Sequence, residues 1–378
     1  SKPIDLSSYT GADFLFLDFI YQAKGHGNMP EDQDSLVVDY YRPDLGQWIS
    51  TVWWATLPYP EDDWDTAHIP INLDYMQNGF QFRLRNYASL SGALDHWHVD
   101  YLYLSDNPLG NQVQPFKDLA IAYPVNTLLE DYTSVPWDHY QNLADKNDVL
   151  LDTAWLQVFN SDDTPTNVGS DMYLEVNLGV TNLLNYNIPN PAGPSPWTSN
   201  WEIGTNYFPY FVQPNFATSY VDAPNDSMAV FDVKINADAA VAGSNVYAVN
   251  DTTRFQQVFK NYYAYDDGSA EVAYGIQGSN SSLAYKFDAY EADTLTGVLF
   301  HFVPSVNDMS GHIMLLTVWD DNGGEPGNIL YQDDFFTPHY PEYGGSKNEF
   351  RYYEFVNPLY DSTITVGTTF YVGWEQID

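Results

Sequence analysis

Apolar and polar residues alternate with a period of two along most of this chain, a pattern that is typical of β-strands rather than helices. Three early runs show it, at residues 35–41, 79–87 and 97–104. In the last run we expect Trp97 and every second residue after it to share one face of the strand. Clusters of Pro, Gly, Asn and Asp separate the runs. The short spacing predicts an all-β fold of tandem antiparallel β-sandwich or jelly-roll domains.

The strand pattern continues to the end of the chain and divides into three blocks. We predict three domains, at residues 1–108, 109–255 and 256–378. The later strands are expected at residues 155–160, 172–178, 228–235, 283–287, 295–303, 314–319, 352–356 and 370–374. One short helix is expected at residues 135–143, with Pro136 near its start.

The charge balance restricts the classes of partner. Asp and Glu number 51 against 13 Lys and Arg, which gives a formal net charge of −38. A nucleic-acid partner would require a basic surface, and an anionic membrane would repel this chain. No apolar run approaches the ~18 residues of a spanning helix, so no membrane insertion is expected. The absence of cysteine excludes disulfides and thiolate chemistry.

Two acidic turns are the candidate metal sites, and Ca²⁺ is the candidate cofactor. Their carboxylate and amide oxygens suit a hard cation. The predicted ligands are Asp266, Asp267 and Glu271 in one turn and Asp320, Asp321 and Asn322 in the other. The same residue types are also favoured in tight hairpin turns that bind no ion.

A histidine pair allows a second metal hypothesis. On a strand, His96, His98 and Asp100 would share one face, a spacing that a transition metal could use. The alternative is a hydrogen bond between histidine and aspartate that orients the strand.

Tryptophans raise the question of carbohydrate binding, because sugar-binding modules stack aromatic rings on sugar faces. The candidate binding residues are Trp64, Trp197 and Trp201. The alternative is that these rings are core residues, as in many sandwiches. Phosphate-binding loops, zinc-protease helices and nucleophile-elbow motifs are missing from the sequence, so we expect no catalytic activity. A glycosidase built from distant carboxylates stays open as a third hypothesis.

Several segments resemble those of a known class of secreted proteins and follow one another in the same order along the chain. They lie at residues 18–37, 47–53, 80–89 and 95–104, then at 128–137, 264–275, 316–327 and 370–374. The chain resembles large surface proteins of Bacteroidota that the type IX secretion system exports. The resemblance implies a concanavalin- or MAM-like jelly roll at residues 1–108, an Ig-like or related sandwich at 109–255 and a jelly-roll-like sandwich at 256–378.

The resemblance also implies a location and modifications. We expect an extracellular or cell-surface protein whose partner is the type IX secretion machinery. That contact would use a C-terminal sorting domain beyond this sequence, and further strands would precede residue 1. The family pattern of Asp followed by Ser or Thr implies O-glycosylation at Ser35, Thr66, Thr153, Ser227, Thr294 and Ser362.

These observations favour a structural or adhesive surface protein that presents β-sandwich modules, with Ca²⁺ and glycans as expected additions. An extracellular glycan or surface protein is the expected ligand class. The alternative is a non-catalytic, carbohydrate-binding accessory region of a secreted enzyme that degrades polysaccharides or proteins. The flanking sequence would distinguish these two hypotheses.

Overall fold

The structure is a computed structural model and confirms the all-β fold class. It describes residues 1–24, 28–61, 64–88, 95–106, 119–123, 125–151, 154–160, 166–167, 173–178, 180–187, 200–201, 204–210, 227–236, 250–268, 274–276, 278–303, 308–340 and 349–377. In these residues no helix is long and apolar enough to cross a membrane.

The N-terminal unit is a sandwich of two antiparallel sheets. Its strands are β1 (Ile4–Asp5), β2 (Leu15–Ala23), β3 (Ser35–Arg42), β4 (Gln47–Trp54), β5 (Asp65–Ile71), β6 (Asn78–Tyr87) and β7 (Trp97–Ser105). One sheet has the order β1-β6-β3-β4 and the other the order β5-β2-β7. Alternate residues such as Val38 and Phe19 are fully buried between the sheets, as the period of two requires.

A β-bulge in β7 corrects the predicted arrangement of its side chains. Asp18 of β2 pairs with Tyr103, whereas Ile20 pairs with Asp100, so β7 carries one residue more than its partner. The extra residue reverses the alternation partway along the strand. Trp97 and Leu104 therefore both pack against the same core, although simple alternation placed them on opposite faces.

The middle unit contains a five-stranded and a three-stranded sheet. Its elements are β8 (Leu119–Tyr123), β9 (Ser134–Pro136), α1 (Trp137–Asn142), β10 (Ala154–Asn160), β11 (Thr166–Asn167), β12 (Tyr173–Leu178), β13 (Thr181–Asn187), β14 (Asn200–Trp201), β15 (Gly204–Tyr210), β16 (Ala229–Asn236) and β17 (Thr252–Lys260). The larger sheet has the order β13-β12-β16-β17-β9 and includes one parallel pairing, β17 with β9. The smaller sheet has the order β15-β10-β8.

The short helix lies within the predicted range and covers the core of the middle unit. α1 begins directly after Pro136, and its Trp137 and Tyr140 are almost fully buried. Their rings lie 5.3 and 4.5 Å from that of Phe259. Strand β17 runs across the boundary predicted between residues 255 and 256, so the whole of Thr252–Lys260 belongs to this sheet.

The C-terminal unit is built on a four-stranded antiparallel sheet. Its strands are β18 (Ser281–Asp288), β19 (Asp293–Leu295), β20 (Gly297–Phe300), β21 (Met314–Asp321), β22 (Pro326–Phe336), β23 (Arg351–Glu354), β24 (Ile364–Val366) and β25 (Thr369–Gln376). The sheet has the order β18-β25-β21-β22, and β19-β24 and β20-β23 form separate pairs.

The single strand predicted at residues 295–303 is in fact two short strands. β19 ends at Leu295 and pairs with β24, whereas β20 begins at Gly297 and pairs with β23. A Cβ at Gly297 would lie 2.5 Å from the backbone oxygen of Tyr353, so only glycine allows this approach.

Candidate functional site

Three carboxylates meet in the N-terminal unit, at positions that no sequence motif links. Glu31 and Asp34 lie in the segment that leads into β3, and Asp95 lies two residues before β7. Their ligand oxygens are all within 4.8 Å of one another. Among the described residues, this acidic cluster is the one group that brings three potential metal ligands so close together.

Backbone contacts fix the two segments that carry the acidic cluster. The Glu31 amide donates to the Asp34 carboxylate at 2.8 Å, and the Asp34 amide donates to the Glu31 carbonyl at 2.9 Å. The Tyr59 hydroxyl donates to the Asp34 carbonyl at 2.6 Å, and the Asn86 amide donates to the Asp95 carbonyl at 3.2 Å. The carboxylates therefore converge because two separate segments are each tied to the sandwich.

The electrostatics of the acidic cluster disfavour three simultaneous negative charges. Asp34 and Asp95 are only 5% and 2% exposed, whereas Glu31 is exposed. A side-chain hydrogen bond with Asp34 and the negative charge of Asp95 raise the pKa of Glu31. A divalent cation between the carboxylates would offset their repulsion and lower the pKa of Glu31. Ca²⁺ takes 6–8 oxygen ligands, so backbone carbonyls or water would have to complete such a site.

The two predicted acidic turns use their carboxylates to close the backbone. Asp321 accepts the Gly324 amide at 2.9 Å, and Asp320 accepts the Asn328 side-chain amide at 3.0 Å. In the other turn, Asp266 accepts the Gly268 amide at 3.0 Å. Asn322 lies in the same turn as Asp320 and Asp321. In the turn of Asp266, the Asp267 carboxylate accepts the Asn126 side-chain amide at 3.3 Å. Glu271 lies outside the described residues, and Ca²⁺ at either turn stays a prediction.

The histidine pair is used for local hydrogen bonds. His98 Nε2 lies 3.1 Å from the Lys24 carbonyl, and the His96 backbone amide donates to the Asn28 carbonyl at 3.0 Å. The Asp100 carboxylate accepts the Tyr101 amide at 2.7 Å. These contacts hold the start of β7 in place. Neither the metal hypothesis nor the predicted bond between histidine and aspartate is tested by them, and both stay predictions.

The predicted carbohydrate-binding tryptophans lie in different parts of the fold. Trp64 is 44% exposed and precedes β5 in the N-terminal unit. Trp201 lies in β14 of the middle unit, opposite Thr166 of β11. Trp197 lies outside the described residues. Carbohydrate binding at these residues stays a prediction.

The predicted glycosylation sites differ in accessibility. Thr66, Ser227, Thr294 and Ser362 are exposed, Ser35 is partly buried at the start of β3, and Thr153 lies outside the described residues. The exposed sites are therefore open to a modifying enzyme.

Serine, aspartate and histidine come together in the N-terminal unit, but in the wrong order for nucleophilic catalysis. The buried carboxylate of Asp18 bonds the His68 ring through one oxygen and the Ser105 hydroxyl through the other. A catalytic serine must instead bond the histidine that takes its proton. The His68 ring also stacks on Phe16 at 3.8 Å, which favours a structural role.

A polar groove of about 540 Å³ lies on the middle sheet. Its charged groups contact one another, because Lys234 Nζ lies 3.8 Å from the Glu175 carboxylate. The Gln256 side chain also donates to Asp232 at 2.9 Å. These cross-strand contacts give the groove a stabilising role in the sheet.

A cluster of tyrosines joins the middle and C-terminal units. This interdomain tyrosine cluster consists of Tyr132, Tyr263, Tyr265 and Tyr290. The Tyr132 ring lies 5.0 Å from that of Tyr263, 4.6 Å from that of Tyr265 and 6.1 Å from that of Tyr290. Tyr263 packs against both hydrophobic cores, so the two units share buried surface.

Hydrogen bonds fix the orientation of the interdomain tyrosine cluster. The Tyr132 hydroxyl donates to the Asp288 carbonyl at 3.0 Å and accepts the Asp288 amide at 2.9 Å. The Tyr263 hydroxyl accepts the Tyr290 amide at 2.8 Å and lies 2.7 Å from His139 Nδ1. Directional bonds at both rings restrict rotation of one unit against the other.

Comparisons with protein families and with curated proteins found no match for this chain.

Proposed function

We propose that this chain is a non-catalytic structural or adhesive protein of the cell surface, which presents β-sandwich modules in a fixed orientation. The observation that carries the proposal is the interdomain tyrosine cluster. Flexible linkers let domains move independently, whereas this joint combines rings packed around the buried Tyr132 with directional hydrogen bonds. A fixed joint suits a protein that must hold its outer modules away from a surface.

The composition supports the same proposal. A net charge of −38 keeps such a protein soluble and discourages self-association. The exposed Asp-Ser and Asp-Thr sites suit a glycosylated extracellular protein. We also propose that the type IX secretion system exports this chain and that Ca²⁺ stabilises it.

The second candidate is a non-catalytic, carbohydrate-binding accessory region of a secreted enzyme. Exposed aromatic side chains on the N-terminal unit, such as Trp54 and Trp64, favour it. The two candidates make different predictions for the parent gene, because only the second requires a catalytic domain on the same chain.

Labelling of intact cells of the source organism tests the proposal. An antibody against this chain should label unlysed cells, and deletion of the gene should reduce attachment without removing a hydrolytic activity. Labelling that appears only after lysis would contradict surface presentation. Hydrolysis of any substrate in a polysaccharide and peptide panel by the purified chain would contradict a non-catalytic role.

A further inference from the structure

We propose that the outer face of the β1-β6-β3-β4 sheet binds an acidic polysaccharide, with arginines that take uronate carboxylates beside aromatic rings that stack on the sugars. This aromatic–arginine face consists of Trp48, Trp54, Arg83, Arg85 and Tyr87. The inference deepens the adhesive function proposed above and rests on it, because it names the class of ligand.

The strand register gathers these side chains on one surface. Val38 and Phe82 face the core, so the residues next to them face outward. Val37 pairs with Trp54 on one side and with Arg85 on the other. Because neighbouring strands lie ~4.8 Å apart, Trp54 and Arg85 have Cα atoms ~10 Å apart across the sheet.

Two of the three aromatic side chains of this face are exposed, and Trp48 is partly buried. Trp54 is 54% and Tyr87 65% exposed, and both flank the strand that carries Val37. Val37 itself is only 6% exposed and forms an apolar floor between its neighbours. Large exposed rings on the outer face of a sheet provide stacking surface for sugar rings at little cost in side-chain entropy.

A buried carboxylate fixes the two arginines in position. Asp39 is fully buried and accepts Arg83 Nε at 2.8 Å and Arg85 Nε at 2.7 Å. Burial alone would raise the pKa of Asp39, but hydrogen bonds from Arg85, the Thr51 amide and Arg83 outweigh it and hold the pKa well below its ordinary value. The carboxylate therefore stays ionised and neutralises one of two guanidinium charges.

The guanidinium groups keep donors for a ligand. A guanidinium has five N–H donors, and Arg83 gives Asp39 only the one on Nε. Arg85 gives Nε and Nη2 to Asp39 and also bonds Ser50 through Nη2, so Nη1 is the group that it keeps for a ligand. Its guanidinium carbon lies 4.4 Å from the centre of the Trp48 ring, a cation–π contact that sets its plane. The Arg83 and Arg85 side chains remain 44% and 41% exposed.

Charge selects the ligand. Two adjacent arginines form a local positive region on a chain with a net charge of −38, and a carboxylate matches the guanidinium fork.

The rest of the chain repels a polyanion at long range. Because the Debye length falls from ~30 Å at 0.01 M to ~10 Å at 0.1 M salt, affinity should rise over this range. A basic polyanion-binding protein shows the opposite dependence.

Calorimetric titration of the full chain with oligogalacturonate tests the inference, with the methyl-esterified oligomer as the uncharged probe. We expect at least tenfold tighter binding of the acid form. Trp54→Ala, Tyr87→Ala and Arg85→Gln should each weaken binding about tenfold or more. The control variants Tyr274→Ala and Arg351→Gln change exposed residues of the C-terminal unit and should bind as the wild type does.

Unfolding curves separate loss of binding from loss of folding. Trp54→Ala and Tyr87→Ala alter exposed rings and should keep the wild-type Tm. Equal binding of both oligomers would overturn the ligand class, and face variants that bind like the wild type would overturn the assignment of the site to this face. If neither oligomer binds while intact cells are still labelled, this inference fails and the proposed surface function stands.

Discussion

Replacement of Tyr132 by phenylalanine should loosen the joint between the middle and C-terminal units. The change removes one hydroxyl and keeps the ring, which is 3% exposed and contacts three other tyrosines. That hydroxyl bonds both backbone groups of Asp288, which lies 156 residues away along the chain. The substitution therefore tests the directional part of the joint and leaves its buried surface intact.

The size of the effect follows from the bonds that are lost. Each hydrogen bond contributes a net ~1 kcal/mol, so the two bonds to Asp288 give a loss of about 2 kcal/mol. The Tyr265 hydroxyl also donates to that of Tyr132 at 3.1 Å, but it keeps the Lys286 carbonyl as an acceptor at 3.1 Å. Asp288 is exposed, and water can satisfy its freed backbone groups, so no further penalty for burial is expected. Tyr132→Ala would also remove the ring and should cost about 3–5 kcal/mol.

Hydrogen exchange at the Asp288 amide gives the most local measurement. A loss of about 2 kcal/mol corresponds to about 30-fold faster exchange if opening of the joint limits it. Calorimetry should show that the middle and C-terminal units unfold together in the wild type and separate in the variant. Tyr285→Phe is the matched control, because this ring is 56% exposed.

Unchanged exchange at Asp288 in the Tyr132→Phe variant would refute the argument. An equal change in Tyr285→Phe would refute it as well, because the effect would then not depend on the joint. In either case the fixed-orientation part of the proposed function would lose its main support.

Four further predictions address stability, metal and modification. Hydrogen bonds lower the pKa of Asp39 in the folded state. Its contribution to the free energy of unfolding is therefore complete above the unfolded pKa of about 3.9 and is lost as the pH falls below that value. Asp39→Asn should cost about 2–3 kcal/mol in urea unfolding at pH 7 and flatten this acid dependence, and an unchanged acid profile would contradict it. Gly373→Ala should destabilise the folded chain by about 3 kcal/mol or more, because the new Cβ would lie 1.8 Å from a backbone oxygen of β18. The control Gly275→Ala places its Cβ in open space and should change the free energy of unfolding by less than about 0.5 kcal/mol. Ca²⁺ at about 100 times its Kd should add about 2.7 kcal/mol and raise Tm, and a Tm unaffected by chelator in low salt would refute a structural ion at both acidic turns. Peptides of the natural protein that contain Thr66, Ser227, Thr294 or Ser362 should be heavier than their amino-acid sequences, and masses equal to the bare sequences would refute glycosylation.

The strands could be predicted because their physical cause is local. A sandwich strand buries every second side chain, so the pattern appears within a few residues. The runs at 35–41, 97–104 and 370–374 correspond to β3, β7 and β25 with ends that differ by a few residues. The short helix was found by the same kind of local pattern, with Pro136 at its start.

The departures from the predicted strands have non-local causes. The bulge in β7 depends on how that strand pairs with β2, and neither sequence alone specifies the extra residue. The break before Gly297 depends on the approach of the Tyr353 backbone from β23. Alternation describes one strand, whereas these features belong to pairs of strands.

The acidic cluster and the tyrosine cluster could not be predicted for a related reason. Glu31 and Asp34 are neighbours in sequence, but Asp95 joins them only through the fold. Tyr132 meets Asp288 across two different units. In a chain with 51 acidic residues and 31 tyrosines, composition gives no means to choose the members of either group.

The turns explain why acidity alone is a poor guide to metal sites in this chain. In five turns of the described residues an aspartate carboxylate accepts the backbone amide two residues later, at Asp5, Asp145, Asp266, Asp308 and Asp321. Hydrogen bonds from Ser7 and Ser310 lower the pKa of Asp5 and Asp308, so an ionised carboxylate is favoured there without any cation. The two predicted metal turns share this geometry with three turns that nothing marks as metal sites. An excess of aspartate therefore serves the many turns of an all-β chain first, and the acidic cluster differs from these turns because its carboxylates converge from two segments.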